Sequence, residues 1–549
     1  MRLAQSVFFG MRPRIAAHLL PDNYAQKAVN TRLWSGDAEP FKQPAYVTDL
    51  AKSGTIVSIY RFGKDLDDDT RYWFQFTTDA DVTLGPIPDD TSERTYYTQA
   101  GQAPMVTDST LATTDGLMPS SGYLLGIPTP TTRAGVTVTA GDDDDDTVQE
   151  QNCVLAYTFV SAWGEEGAPC EVSDAFNAKT GDTLNVVSMD GAPDGNYNIT
   201  LKRLYVSITD DSGTATLRFW KEIPVGSTTY SDTLDLTLLG EAVPENAMIP
   251  PPDDMFGIMA HPAGFLVGFS GQRVMRSETY KPYGWPYFSP VADEIVGGAI
   301  LGQATIICTK GSTYMATQAD PITFVPLQLN GWQPCVSKRS IAVLGGYVVY
   351  ASPDGLVGVD QNGTLSVLTD QLMTRDEWQA YKPESMMTVT HDGRVFIFYD
   401  TGTVQGGLII DLSVGQIVLT DLYATAAYAD GRRDALFLVV ETGKLHKWDA
   451  DDEAMTLTYQ SKQLIAERPQ NLGAAKVVAD SYPVTFTLDA VIETTTGTKA
   501  VQITKTVQNA RGFRVRGDYR AREYAWTVQG AGKLSEVILA STLGNLTAQ

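Results

Sequence analysis

The stretch "GYVVYASPDGLVGVD", residues 346–360, points to the fold. Two runs rich in β-branched and aromatic residues flank Asp354-Gly355. Asp-Gly is a tight-hairpin signal because glycine accepts the positive φ such turns demand. Four more hairpins are built alike: "GFLVGFSGQRVMRS" (264–277), "ATIICTKGSTYMAT" (304–317), "MMTVTHDGRVFIFYD" (386–400) and "ALFLVVETGKLHKWD" (435–449). The turn glycines Gly271, Gly311, Gly355, Gly393 and Gly443 are separated by 40, 44, 38 and 50 residues. Another hairpin, "GGLIIDLSVGQIVLTDL" (406–422), lies between two of these units. About four strands per ~40–50 residues is the arithmetic of a β-propeller. A long sandwich with irregular hairpins is the competing reading.

Strand patterns extend outward from this block. "TIVSIYRF" (55–62) and "RYWFQFTTDADVTL" (71–84) alternate and contain turn signals, so they can close the ring as a further blade. Residues 150–245 carry about seven short strands, including "VLAYTFVSAWGEEGAPCEVS" and "ITLKRLYVSI", which suits a fibronectin III or Ig-like sandwich. The aspartate run Asp142–Asp146 and "IPPPDD" (Ile249–Asp254) read as its boundary linkers. From about residue 481 short strands with reversed charge form a small terminal module. The expected chain is therefore all-β: a propeller-like platform with an inserted fibronectin III/Ig-like sandwich and a small C-terminal β domain. The segments are an arm (1–47), a first part of the platform (48–123), the insertion (124–249), the main blades (250–480) and the terminal domain (481–549). Outside the arm, "TRDEWQAYKPE" (374–384) is the one helical pattern, ended by Pro383.

The arm contains "LLPDNYAQKAVNTRLWSGDAEPF", residues 19–41. Asp22 can cap a short helix with Ala25, Val29 and Leu33 on one stripe and Gly36 as its stop. Two roles stay open for it: sealing a blade edge of its own chain, or reaching a neighbouring subunit or an adjoining ring.

With 549 residues the chain exceeds one hydrophobic core, and its 43% hydrophobic and 19% charged residues fit a packed globular protein. No run of ~18 apolar residues exists, so no membrane span is expected. The opening "MRLAQSVFFGMRPR" is interrupted by Arg12 and Arg14 and is too short for a secretory signal, so cytoplasmic synthesis is expected. The net charge is −24, distributed unevenly. Residues 1–47 hold six basic and three acidic residues, and residues 499–549 hold eight and three, which leaves −32 for the body between them. Such a body repels phosphate.

No catalytic constellation stands out. His18, His261, His391 and His446 are scattered, and no metalloprotease, nucleophile-elbow or phosphate-loop motif occurs. Cys153, Cys170, Cys308 and Cys335 lack zinc spacing and read as buried thiols, with a Cys153–Cys170 bridge left open. Calcium loops space their ligands at alternate positions, whereas Asp142–Asp146 are consecutive and suit a solvated loop. Carboxylates are too frequent for a glycosidase pair to be singled out. Arg511, Arg514, Arg516, Arg520 and Arg522 can face DNA, neighbouring acids or an acidic surface of an identical subunit.

Several segments carry a resemblance: "NYAQKAVNTRLWSGDAEPF" (23–41), "YTFVSAWGEEGAPCEVS" (157–173), "IPPPDDMFGIMAHPAGFLVGFSGQRVMRSETYKPYGWP" (249–286), "CVSKRSIAVLGGYVVYASPDGLVGV" (335–359), "TYQSKQLI" (458–465) and "KLSEVILASTLGNL" (533–546). In this order, across nearly the whole chain, they resemble the tail nozzle proteins of short-tailed bacteriophages, also called tail tubular protein B. The resemblance implies a non-enzymatic structural virion protein without cofactors, made in the host cytoplasm and built into the virion tail. It implies a hexameric ring of identical subunits below the portal and adaptor proteins. That ring lines the path of genomic DNA and anchors fibres or spikes. Arg12, Arg14, Tyr24, Arg32 and Trp34 of the arm, with the five C-terminal arginines, are the candidate assembly residues. The alternative is a carbohydrate-binding or carbohydrate-cleaving propeller acting at the cell surface.

Overall fold

The hairpin turns do what their residues dictate. Asp392 and Gly393 both take positive φ, 49° and 70°, the geometry of a type I′ turn matched to strand twist. Four of the five hairpins lie inside four-stranded antiparallel sheets, and the one at Asp392-Gly393 belongs to a larger sheet. Around the opening stretch the strands are Ala342–Leu344, Tyr347–Ser352, Gly355–Asp360 and Leu365–Val367, in sequence order across the sheet. The computed structural model describes residues 2–63, 67–141, 149–209, 215–244, 248–494, 497–515, 517 and 519–546. The run Asp142–Asp146 and Arg516 lie outside the described residues.

Among the described residues seven sheets stand in a ring. Their first strands are Ser58–Arg61, Ala80–Leu84, Phe256–His261, Ile295–Leu301, Ala342–Leu344, Met387–His391 and Ala426–Asp430, termed blades one to seven in that order. Each first strand packs beside the next, and the seventh returns to the first. Blade one has two strands, Ser58–Arg61 and Trp73–Phe76. Blade seven takes its outermost strand, Ala45–Asp49, from the N-terminal side, antiparallel to Lys444–Lys447. The five sequence hairpins thus mark blades three to seven, and residues 55–124 supply blades one and two. The helix expected at 374–384 is present as Arg375–Gln379, with a capping box between Thr374 and Glu377. Its buried Trp378 donates Nε1–H to the Ser352 carbonyl at 2.8 Å.

The insertion leaves the ring after blade two and returns before blade three. One of its sheets pairs Gly135–Thr139, Thr183–Val187 and Tyr230–Thr233; the other pairs Leu155–Ser161, Ile199–Thr209 and Ala215–Pro224. Tyr157, Phe159, Leu184, Leu204 and Val206 fill the space between them. Cys153 and Cys170 are both buried and free, as are Cys308 and Cys335.

The arm is not helical, which corrects the reading of residues 19–41. Tyr24–Val29 is a strand. A stretch this short gains little as an isolated helix, while as a strand its backbone is paired on both sides. It runs parallel to Phe9–Met11, reaches Leu419 through Val29, and pairs antiparallel with Leu457–Ser461. Asp22, the expected helix cap, instead accepts from Lys462 Nζ at 2.7 Å. Met11 in turn pairs with Ile417 on the outer strand of blade six, Gln416–Thr420. The blade-six sheet therefore continues through the arm into Leu457–Ser461, Ala521–Gly530, Val484–Thr494 and Gly497–Val507.

The terminal module is larger than residues 481–549. It also takes Leu457–Ser461 and Ala474–Ala479, and Arg2–Gln5 pairs along Leu534–Ala540. A single apolar cluster runs from Trp378 and Ile410 of the platform to Phe486, Trp526 and Leu539 of the module.

Tyr459 lies at the centre of this seam and is fully buried. Its hydroxyl accepts from Gln5 Nε2 at 3.0 Å and lies 2.9 Å from the Asn23 carbonyl and 3.1 Å from that of Phe9. Phe8 meets its ring edge-on at 5.1 Å. Tyr459→Phe keeps the packing but strips these polar groups of their partner. It is expected to cost about 1–3 kcal/mol, read as a lower urea midpoint at unchanged slope.

Candidate functional site

The arm's candidate residues are bonded within their own chain. Arg12 donates Nε–H to the Gly415 carbonyl at 2.7 Å and lies over the Tyr24 ring at 4.4 Å. Arg14 pairs with Asp370 at 3.0 Å. Arg32 pairs with Asp449, and both Arg32 and Arg394 lie over Trp34, at 4.9 and 3.9 Å. These contacts bind the arm to the end of blade five and to blades six and seven. Trp34 keeps about half its surface exposed, at 49%. Arg511, Arg514, Arg520 and Arg522 are exposed on the terminal module. Arg522 donates to the Glu467 carbonyl at 3.3 Å. Arm and terminal arginines thus belong to two separate places on one continuous sheet and its neighbour.

A polar centre that the sequence did not announce lies at one end of the ring. The connection between blades four and five carries Lys338 and Arg339 in a short 3-10 turn. Lys338 Nζ is 2.7 Å from both Asp79 and Asp81, at the start of blade two's inner strand. Asp81 also accepts from the Gly257 N–H at 3.0 Å, on blade three. Arg339 donates to the carbonyls of Val57 at 2.9 Å and of Thr425, just ahead of blades one and seven. All these groups sit where the inner strands begin, so the two cations lie across the same mouth of the central channel. Burial alone depresses the Lys338 ammonium, but Asp81 and Asp79 reverse this and hold it above the ordinary lysine range.

Beside this mouth a cleft of about 820 Å³ opens between the ring and the sandwich. Asp79, Asp81 and Lys338 form one side; Asp253, Asp254 and Phe256 form another; Tyr197 of the sandwich closes it. "IPPPDD" reads in isolation as a linker, and the signal missed was a pair of acids directly before a blade's first strand. Among the described residues no group of three His, Cys, Asp or Glu is gathered to hold a metal ion. No helix there is long and apolar enough to cross a membrane.

The sandwich is pinned to blade two by Arg94, whose guanidinium pairs with Glu165 at 2.8 Å and Asp90 at 2.7 Å. Trp163 packs edge-on against Tyr123 at 5.4 Å in the same joint. Burial pushes the Glu165 carboxyl up to about 7, and the Arg94 charge only partly opposes it. Deeper in the sandwich, Glu166 accepts from Thr158, Arg203 and Tyr205, which satisfies its buried charge.

No family model matches this chain, and no curated protein matches it. Among solved structures it is similar to BamB of Moraxella catarrhalis, with 11% identity and a TM-score of 0.31, over 74% of this chain and 95% of that one. It is also similar to BBS1N in complex with ARL6DN, with 12% identity and a TM-score of 0.26, over 46% and 88%. A third is an exo-β-1,3-galactanase of Phanerochaete chrysosporium with galactose, at 10% identity and a TM-score of 0.19, over 52% and 95%. Likenesses this distant say nothing about activity.

Two outcomes are expected from the ionic ties. Lys338→Met leaves Asp79 and Asp81 facing each other without a counter-ion. It is expected to cost about 2–4 kcal/mol at pH 7. Chemical denaturation reads this as a lower urea midpoint than wild type. Glu165 has a raised folded-state pKa, so its contribution is fully present below pH ~4.5 and is lost as pH rises through about 7. Wild type is expected to lose up to about 3 kcal/mol over that window from this group, while Glu165→Gln shows no such component in a pH series of melting curves.

Proposed function

We propose that this chain is a structural subunit of a short-tailed phage tail, one copy in a nozzle ring of about six. The ordered sequence resemblance across nearly the whole chain carries this reading. The architecture supports it physically. Propeller and terminal module share one sheet and one apolar cluster, which makes a stiff wedge suited to bearing load between rings. Lys338 and Arg339 lie across the propeller's own channel, so the reading places DNA in the space between subunits rather than within one. The acidic body, part of a net charge of −24, suits a conduit to which phosphate must not adhere. In this role the exposed arginines Arg511, Arg514, Arg520 and Arg522 meet acidic faces of neighbouring copies or of the adaptor above. Fibres or spikes attach outside, and the protein is assembled in the host cytoplasm into the virion tail.

Mass photometry of the purified full chain, alone and mixed with its portal–adaptor complex, tests the proposal. A mass near about six times 59.6 kDa, or its addition to the complex, is expected. A chain that stays monomeric in both samples overturns it.

A further inference from the structure

The cleft between the sandwich and the ring has a chemistry that selects among ligands. Its volume, about 820 Å³, is within the range of built small-molecule sites, and it lies between two domains, where such sites concentrate. Its walls hold four carboxylates, Asp79, Asp81, Asp253 and Asp254, against the single ammonium of Lys338. Two of those carboxylates already bind that ammonium, which leaves a field that excludes phosphates and acidic sugars. The remaining acceptors suit hydroxyl donors, since an ionised carboxylate only accepts.

The aromatic side is held in place. Gly195 takes φ +101°, and a Cβ there would come within 2.7 Å of the Tyr197 ring, so the ring rests directly on glycine backbone. Leu124 lies on the same side of the cleft, and Phe256 and Met255 continue its apolar floor. Aromatic and apolar faces next to hydroxyl-accepting carboxylates match a pyranose, which is apolar on its C–H faces and polar around its rim. A basic peptide would use the carboxylates but leave this floor unmatched.

We propose that the cleft binds a neutral oligosaccharide, with Tyr197 against a sugar face and Asp253 and Asp254 accepting its hydroxyls. The site sits within one chain and is independent of the ring reading, so a monomer that binds sugar keeps this proposal and a ring that does not bind sugar loses it.

Titration calorimetry of the full chain with the hexaoses of cellulose, chitin, amylose and mannan tests it, with oligogalacturonate and hexalysine as charged comparisons. Saturable binding of at least one neutral hexaose is expected, and none of oligogalacturonate. Tyr197→Ala and, separately, Asp253→Asn are expected to weaken it by about tenfold or more, with unchanged melting temperature. Asp253→Asn changes an exposed side chain, so it remains informative if Tyr197→Ala melts early. Absence of binding by all four neutral hexaoses overturns the proposal. So does preferred binding of hexalysine, or neutral-sugar affinity that survives Asp253→Asn.

Discussion

The outer strand of a propeller blade presents a row of backbone N–H and C=O groups to whatever lies beyond the ring. In this chain Gln416–Thr420 gives that row to the arm. The arm gives its other edge to Leu457–Ser461, and the terminal module is built on that strand. Water would satisfy these groups equally well, so the ladder alone is not the gain. The gain is the apolar surface that the ladder aligns: Phe8, Ala25 and Ala28 are carried under Tyr459 and Trp526, and all five are buried. Without the arm, two sheets that now share one core would each end in an exposed edge.

The charged groups serve a different end. The platform would remain a ring on packing alone, because the apolar faces of neighbouring blades fill the spaces between them. Partly buried ion pairs add little net stability, since desolvation offsets attraction. Their value is in direction. Lys338 accepts only the arrangement in which blade two's carboxylates face the connection between blades four and five. Arg94 accepts only one seating of the sandwich, since it must meet Asp90 beneath and Glu165 above. Mispairing either leaves an uncompensated charge in a place that water reaches poorly.

The propeller was legible because its information is local: a turn, two strands, a fixed spacing. Asp354-Gly355 or Asp392-Gly393 specifies a hairpin whatever surrounds it. The arm was misread for the complementary reason. Ala25, Val29 and Leu33 form a helical stripe, whereas the strand is bulged between Ala25 and Lys27 and shows no clean alternation, so strands some 390 residues away or more decide the outcome. The same distance hid the role of Ala45–Asp49 in blade seven. Arg12, Arg14 and Arg32 read from the sequence as assembly residues facing other subunits; their bonds to the Gly415 carbonyl, Asp370 and Asp449 within the chain are a property of the folded state that no local pattern records. The cleft was not legible, because Tyr197, Asp253 and Lys338 lie on three segments that meet only when the insertion docks. Asp253 and Asp254 looked like linker residues since nothing in "IPPPDD" records which groups they will face.

Arg2–Gln5 ends up hydrogen-bonded to Leu534–Ala540, and Ala45–Asp49 to Lys444–Lys447. This has a consequence in time. A chain leaving the ribosome exposes its arm hundreds of residues before the platform and module strands that receive it. Blades three to six, built from neighbours in sequence, can form as they emerge; closure of blade seven must wait for Lys444–Lys447, and docking of Arg2–Gln5 for Leu534–Ala540. Long-range pairing of this kind slows folding and prolongs the life of unpaired edges. The nascent protein therefore passes through a state in which the edge of blade six is open and its own arm competes with any other strand nearby. An arm delivered to the wrong copy at that stage would exchange strands between chains, which makes the order of emergence, as much as the final packing, a determinant of how faithfully the molecule is made.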